Sequence, residues 1–103
     1  MSDIKQLISI IVPVFNESES VGLLLDEVID VMLFHKFNFE LIVVNDGSND
    51  NTHQVLKKLT FKIKELSVIS LRKNYGQTAA MSAGFDNSKG DIVITLDLSL
   101  IHI

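Results

Sequence analysis

The sequence predicts an α/β fold, a mostly parallel sheet with helices packed on its faces. Three observations lead there. Short runs dominated by Ile, Val and Leu recur at roughly thirty-residue intervals, the length of a strand plus a crossover. Between them the apolar residues switch to helical spacing. The first run is also almost continuously apolar, which favours a parallel sheet covered on both faces over a half-exposed antiparallel one.

The first run, Leu7 to Phe15, is almost continuously apolar, as strands covered on both faces are. Pro13 lacks a ladder donor, so pairing is expected to fail at that end. Asn16-Glu-Ser-Glu19 has the cap-x-x-Glu spacing of a helix start and would place Glu17 in the first turn. Val21, Leu24, Leu25, Val28, Ile29 and Met32 then recur on one face of a helix expected from about 18 to 34. Phe39 to Val44 reads as an interior strand running into Asn45-Asp-Gly-Ser48, a turn that fixes a carboxylate at the sheet rim. Asn51-Thr-His-Gln54 repeats the cap spacing before a helix carrying Val55, Leu56 and Leu59 inside and lysines outside. Leu66 to Leu71 is a third strand, 72–76 a loop, and 77–88 a third helix. Ala79, Ala80, Ser82, Ala83 and Gly84 in that helix allow close approach to a sheet. Lys89-Gly90 stops it, and Asp91 to Leu96 is the fourth strand. The result is β-α-β-α-β-α-β, a Rossmann-like sheet.

Composition narrows the function. The 103 residues make one domain or part of one, 47% hydrophobic, 21% charged and without cysteine, which excludes disulfides and thiolate chemistry. A net charge of −4 argues against a nucleic-acid partner. Residues 1–50 carry nine acids and two lysines, whereas 51–103 carry four acids and seven basic residues. Lys57, Lys58, Lys62 and Lys64 read as a solvated helix face, with Arg72 and Lys73 in a loop beyond. With Asp3 before Lys5 and no long apolar core, the N-terminal residues are not expected to act as a signal peptide, and no apolar run approaches the ~18 residues of a membrane span, so the fragment is expected to be soluble.

In such sheets ligands bind beyond the carboxyl ends of the strands. That rule selects Pro13–Glu17, Asn45–Ser48, Arg72–Gly76 and Asp97. Carboxylates at this rim suit ribose hydroxyls, base N–H groups or a divalent ion, and the arginine suits a phosphate. The first strand-to-helix turn contains no glycine, so the dinucleotide fingerprint is absent, and no P-loop occurs. A diphosphate would then need a metal ion and side chains, which favours a metal-assisted nucleotide donor over a dehydrogenase or ATPase. His35, His53 and His102 lack ligand spacing, and Ser48 and Ser70 lack an evident base.

Four segments, Ile-Val-Pro-Val-Phe-Asn-Glu (11–17), Val-Val-Asn-Asp-Gly-Ser-Asn-Asp (43–50), Arg-Lys-Asn-Tyr-Gly-Gln-Thr-Ala-Ala (72–80) and Gly-Asp-Ile-Val-Ile-Thr-Leu-Asp (90–97), stand in register. Over residues 7–97 the chain resembles family 2 glycosyltransferases of the GT-A fold, nearest the bacterial polyprenyl-phosphate glycosyltransferases related to dolichol-phosphate mannose synthase. The resemblance implies that Pro13, Phe15 and Glu17 frame the nucleoside of a sugar nucleotide and that Asp46 binds its base or ribose. Arg72, with the loop through Gly76 to Gln77, would border the donor site and the acceptor phosphate. Asp97 would be the first aspartate of an Asp-x-Asp motif holding Mg2+ or Mn2+ on the donor diphosphate.

By that resemblance the parent enzyme transfers a hexose with inversion from a nucleotide-diphosphate sugar to a polyprenyl phosphate. A UDP-sugar is expected over a GDP-sugar. The parent would work at the cytoplasmic side of the membrane in cell-envelope polysaccharide synthesis. A phosphate acceptor is already anionic, so no catalytic base is assigned. The match breaks after Asp97, where Ser99 replaces the second aspartate and Ile101 a glutamine. Residues 1–97 are therefore expected to be the nucleotide-sugar-binding part of a GT-A domain, with 98–103 a truncated or foreign tail and the fragment itself inactive. Two other readings remain open, a non-catalytic nucleotide-binding module and a plain α/β interaction domain.

Overall fold

The computed structural model describes residues 6–97. Its elements are β1 (Leu7–Val14), α1 (Val21–Phe34), β2 (Asn38–Asn45), α2 (Thr52–Lys62), β3 (Leu66–Ser70), α3 (Gln77–Asn87) and β4 (Ile92–Thr95). The strands form one sheet in the order β3-β2-β1-β4, and every neighbouring pair is parallel. β2 is interior, as its apolar run requires.

Alternation along the strands divides the core between two faces. Ile8, Ile10, Val12 and Val14 of β1 join Phe39, Leu41 and Val43 of β2 against Val21, Leu24, Leu25 and Met32 of α1 and Leu56 of α2. On the other face Ile11, Ile42 and Val44 pack with Ala80 of α3. The lysines of α2 and the turn after it, Lys57, Lys58, Lys62 and Lys64, are exposed.

The second face is thin because α3 lies close to the sheet. A Cβ on Gly84 would sit 2.4 Å from Ile11 Cγ2, and Ile11 is fully buried. Gly84→Ala therefore forces overpacking (about 1–3 kcal/mol) against a helix-propensity gain of up to ~1 kcal/mol. A net loss of about 1 kcal/mol is expected in urea unfolding.

Pro13 interrupts pairing on one side only. β1 pairs with β2 through Val14 opposite Asn45, whereas pairing with β4 stops at Ile11 opposite Thr95. Ile11 O accepts from Leu96 N on the β4 side, and Val14 O accepts from Asp46 N on the β2 side. Backbone groups alternate sides, so Pro13 falls in the set facing β4 and its missing N–H leaves the β2 ladder intact.

The two expected side-chain caps do not form. α1 begins at Val21, later than the Asn16 spacing predicts, and neither Ser20 nor Asn51 makes a side-chain cap hydrogen bond. Glu17 lies before the helix, where its carbonyl accepts from Ser20 N and Val21 N. Asn16 adopts φ +53° and uses its side chain on the β2–α2 turn.

Candidate functional site

β1 and β2 run out of pairing side by side, so the turns that follow them meet. Asn16 Oδ1 accepts from the amides of Asn49 and Asp50 at 2.7 and 3.3 Å. Asn16 N donates to Ser48 Oγ at 3.0 Å, and Glu17 N donates to the buried Thr52 hydroxyl at 3.1 Å. Asn45 Oδ1 accepts from Ser48 N and from its hydroxyl. Asn16, Asn45, Ser48 and Thr52 thus hold Glu17 at the rim. Sequence reasoning treats them as cap or turn residues, because their partners lie on the other loop.

Asp50 plays the capping role expected of Asn51. Its Oδ1 accepts from Thr52 N at 2.9 Å and from the Thr52 hydroxyl. The Thr52 hydroxyl, foremost, holds the Asp50 carboxyl below its ordinary value of 3.8. A depressed folded pKa stabilises above the unfolded pKa and is lost as pH falls through the folded one. Chemical denaturation between pH 5 and pH 2 should therefore show a smaller acid loss in Asp50→Ala than in the parent.

Asp46 is 3% exposed. Its carboxylate accepts from Tyr75 N at 2.8 Å, Gly76 N at 3.0 Å and Asn74 Nδ2 at 3.3 Å. Its carbonyl accepts from Asn74 Nδ2 at 3.2 Å. The β2 rim thereby anchors the loop before α3. Gly47, at φ +68°, lets that loop pass, since a Cβ there would lie 2.2 Å from Lys73 C and 2.3 Å from Asn74 N.

Two clefts result. One, of about 300 Å³, is lined by Pro13, Val14, Phe15, Glu17, Asp46, Asn74, Gly76, Gln77 and Asp97. Six of the seven residues expected from sequence lie here, the exception being Arg72. Its ionisable lining residues are all carboxylates. The neighbouring cleft, of about 430 Å³, shares Phe15 and Asn74 and contains His53, Ser70, Arg72 and Lys73 without a carboxylate. Ser70, expected to lack a basic neighbour, has His53 Nδ1 3.2 Å from its hydroxyl. The two residues lie seventeen apart in sequence, so the β2–α2–β3 crossover alone brings them together. The expectations for 98–103, Ser99 included, lie outside the described residues.

The carboxylate-lined cleft lies beyond the carboxyl ends of a parallel α/β sheet, where such sheets bind their ligands. The chain belongs to Glycosyl transferase family 2, whose profile matches residues 9–101. It is 41% identical over 91 residues to dodecaprenyl-phosphate galacturonate synthase of Rhizobium johnstonii, covering 87% of this chain and 27% of that protein. It is 42% identical over 95 residues to undecaprenyl-phosphate 4-deoxy-4-formamido-L-arabinose transferase of Proteus mirabilis, covering 90% of this chain and 29% of the relative. The chain thus spans under a third of these relatives. Among solved structures, the mannosyltransferase PcManGT of Pyrobaculum calidifontis, in complex with GDP-Man and Mn2+, superimposes with a TM-score of 0.78 at 20% identity. That match covers 93% of this chain and 28% of the other, and at this identity it speaks to the fold alone. S. aureus TarS 1-349 in complex with UDP gives 0.73 at 27% identity, covering 91% and 27%.

Among the described residues no three His, Cys, Asp or Glu side chains are arranged to hold a metal ion. Three of the Asp46 hydrogen-bond donors already occupy its carboxylate oxygens. A divalent ion at this rim would take one or two protein carboxylates and complete its shell with substrate phosphates and water. Among the described residues no helix is long and apolar enough to cross a membrane.

Proposed function

We propose that this chain binds the donor of a glycosyltransferase that moves a sugar from a nucleotide diphosphate to a polyprenyl phosphate. The observation carrying this reading is the convergence of Pro13, Phe15, Glu17, Asp46, Gly76 and Asp97 on one cleft. Within it the exposed Phe15 ring offers a stacking surface to a base, and the Glu17 carboxylate can accept from ribose hydroxyls or base N–H groups. Asp46 keeps the Tyr75–Gly76 wall in place while lining the same cleft, so it would act on the nucleotide both directly and through that wall.

In the whole protein an acceptor phosphate oxygen attacks the anomeric carbon from the face opposite the departing nucleoside diphosphate, inverting the centre. Mg2+ or Mn2+ bound at Asp97 would offset charge on the diphosphate. Arg72 would border this donor from the second cleft. Residues 1–97 form the donor-binding part, and the parent acts at the cytoplasmic face of a membrane.

Calorimetry with UDP, with and without Mn2+, tests the reading. UDP is expected to bind more tightly with Mn2+ and more tightly than GDP, and Asp97→Ala should abolish the metal dependence. Binding indifferent to metal would replace it with a second reading, a non-catalytic nucleotide-binding module.

A further inference from the structure

We infer that the outward faces of α1 and α2 dock onto a second copy of this chain, α1 of each copy on α2 of the other. The two helices touch side by side on one face of the sheet, where Leu24, Leu25 and Leu56 share a core. Their outward faces carry opposite charge. Asp26, Glu27 and Asp30 are exposed on α1, which has no basic residue, whereas Lys57, Lys58 and Lys62 are exposed on α2, which has no acidic one. Each helix also presents an aromatic ring near its C-terminal end. Phe34 is 80% and Phe61 84% accessible, the two most exposed large hydrophobic residues among those described.

The spacing of these groups is the same on both helices. Asp30 and Glu27 stand four and seven residues before Phe34, and Lys57 and Gln54 stand four and seven before Phe61, with Lys58 next to Lys57. At helical periodicity each set forms one stripe. Both helices return antiparallel to the strands and end at the same side of the sheet. A two-fold axis parallel to the helices therefore lays each α1 on the other copy's α2 in the same direction. Phe34 then meets the partner's Phe61, and Asp30 meets the partner's Lys57 and Lys58. Both clefts lie beyond the opposite end of the strands and stay open. A partner of one charge would meet like charge on one of the two helices, whereas a second copy offers each face its complement. An anionic membrane is disfavoured for the same reason, since it would repel Asp26, Glu27 and Asp30. Two packed helices of this length present a face of roughly 400 Å², about half of what each partner buries in a standard stable interface. The dimer is therefore weak and reversible. It holds whether or not the clefts take a sugar nucleotide.

Sedimentation velocity of the 103-residue chain, from micromolar to millimolar concentration, tests this. A reversible monomer–dimer equilibrium is expected. Phe34→Ser combined with Phe61→Ser should weaken it about tenfold or more, because both rings lose their cover. Two charge-reversed chains give the sharper comparison, one with Glu27→Lys and Asp30→Lys, the other with Lys57→Glu and Lys58→Glu. Each alone carries like charge on both helices and should associate about tenfold more weakly than the parent. Mixed in equal amounts, the two restore opposite charge at both contacts, so association should return to about the parent's strength. All the substituted residues are exposed, so the core is kept, and circular dichroism checks the helices. A parent chain that stays monomeric at every concentration overturns the inference. So does a mixture that associates no better than its components, which would place any contact elsewhere, such as the β4 edge with its exposed Ile92 and Ile94. Co-sedimentation with phosphatidylglycerol vesicles, lost with Phe34→Ser and Phe61→Ser and seen without self-association, would give the face to a membrane and equally overturn it.

Discussion

Gly47→Ala should be among the most damaging single substitutions in this chain, lowering unfolding stability by at least about 2 kcal/mol. Two separate effects combine. At φ +68° an L-residue is strained, and the added Cβ would meet the backbone of Lys73 and Asn74 at 2.2 and 2.3 Å. A flexible side chain could rotate away, but a peptide unit moves only with its loop. The 73–76 segment must shift, breaking the hydrogen bonds from Tyr75 N and Gly76 N to Asp46. Urea unfolding gives the stability, and amide exchange at Tyr75 and Gly76 reports the loop. Gly22→Ala is the control, since its Cβ would meet nothing within 4 Å and alanine favours the helix by up to ~1 kcal/mol. Equal stability for both variants would mean that the Gly47 contact is dispensable.

The second large effect is expected at Asp46. Asp46→Asn keeps the shape but turns one acceptor oxygen into a donor. At 3% exposure, water cannot readily replace the lost partner. Tyr75 N and Gly76 N approach different oxygens, so whichever way the amide turns, one N–H meets an NH₂ group. A loss of about 2–3 kcal/mol is expected, with faster exchange at Tyr75 or Gly76. Calorimetry should also show UDP affinity falling, because the wall and its carboxylate change together. Unchanged exchange in Asp46→Asn would show that the loop is held by other contacts.

Asp46 also marks where sequence reasoning reached its limit. Its position on the rim follows from a buried strand ending in Asn45-Asp-Gly-Ser48. Its three donors come from 28 to 30 residues downstream, and no local pattern announces them. The same separation explains Asn16. Its spacing to Glu19 imitates a cap, yet an asparagine near αL is close enough to the β2–α2 turn to bond Asn49 and Asp50 instead. Arg72 follows β3 at the same rim, and which of the two adjoining clefts it lines depends on the path of the loop beside Gly47.

What the sequence determined by itself is periodic or local. Doubly buried strands, helical spacing and small residues in α3 define the alternation of elements and the parallel sheet, because burial acts on every second or every third to fourth residue. Strand termini then nominate one rim. The tertiary structure alone decided how that rim divides into an acidic and a cationic cleft. It also decided which polar residues face a ligand cleft and which lace loops together. Both depend on contacts between segments about thirty residues or more apart, whose geometry is fixed only when β1 and β2 pair and α3 settles on the sheet.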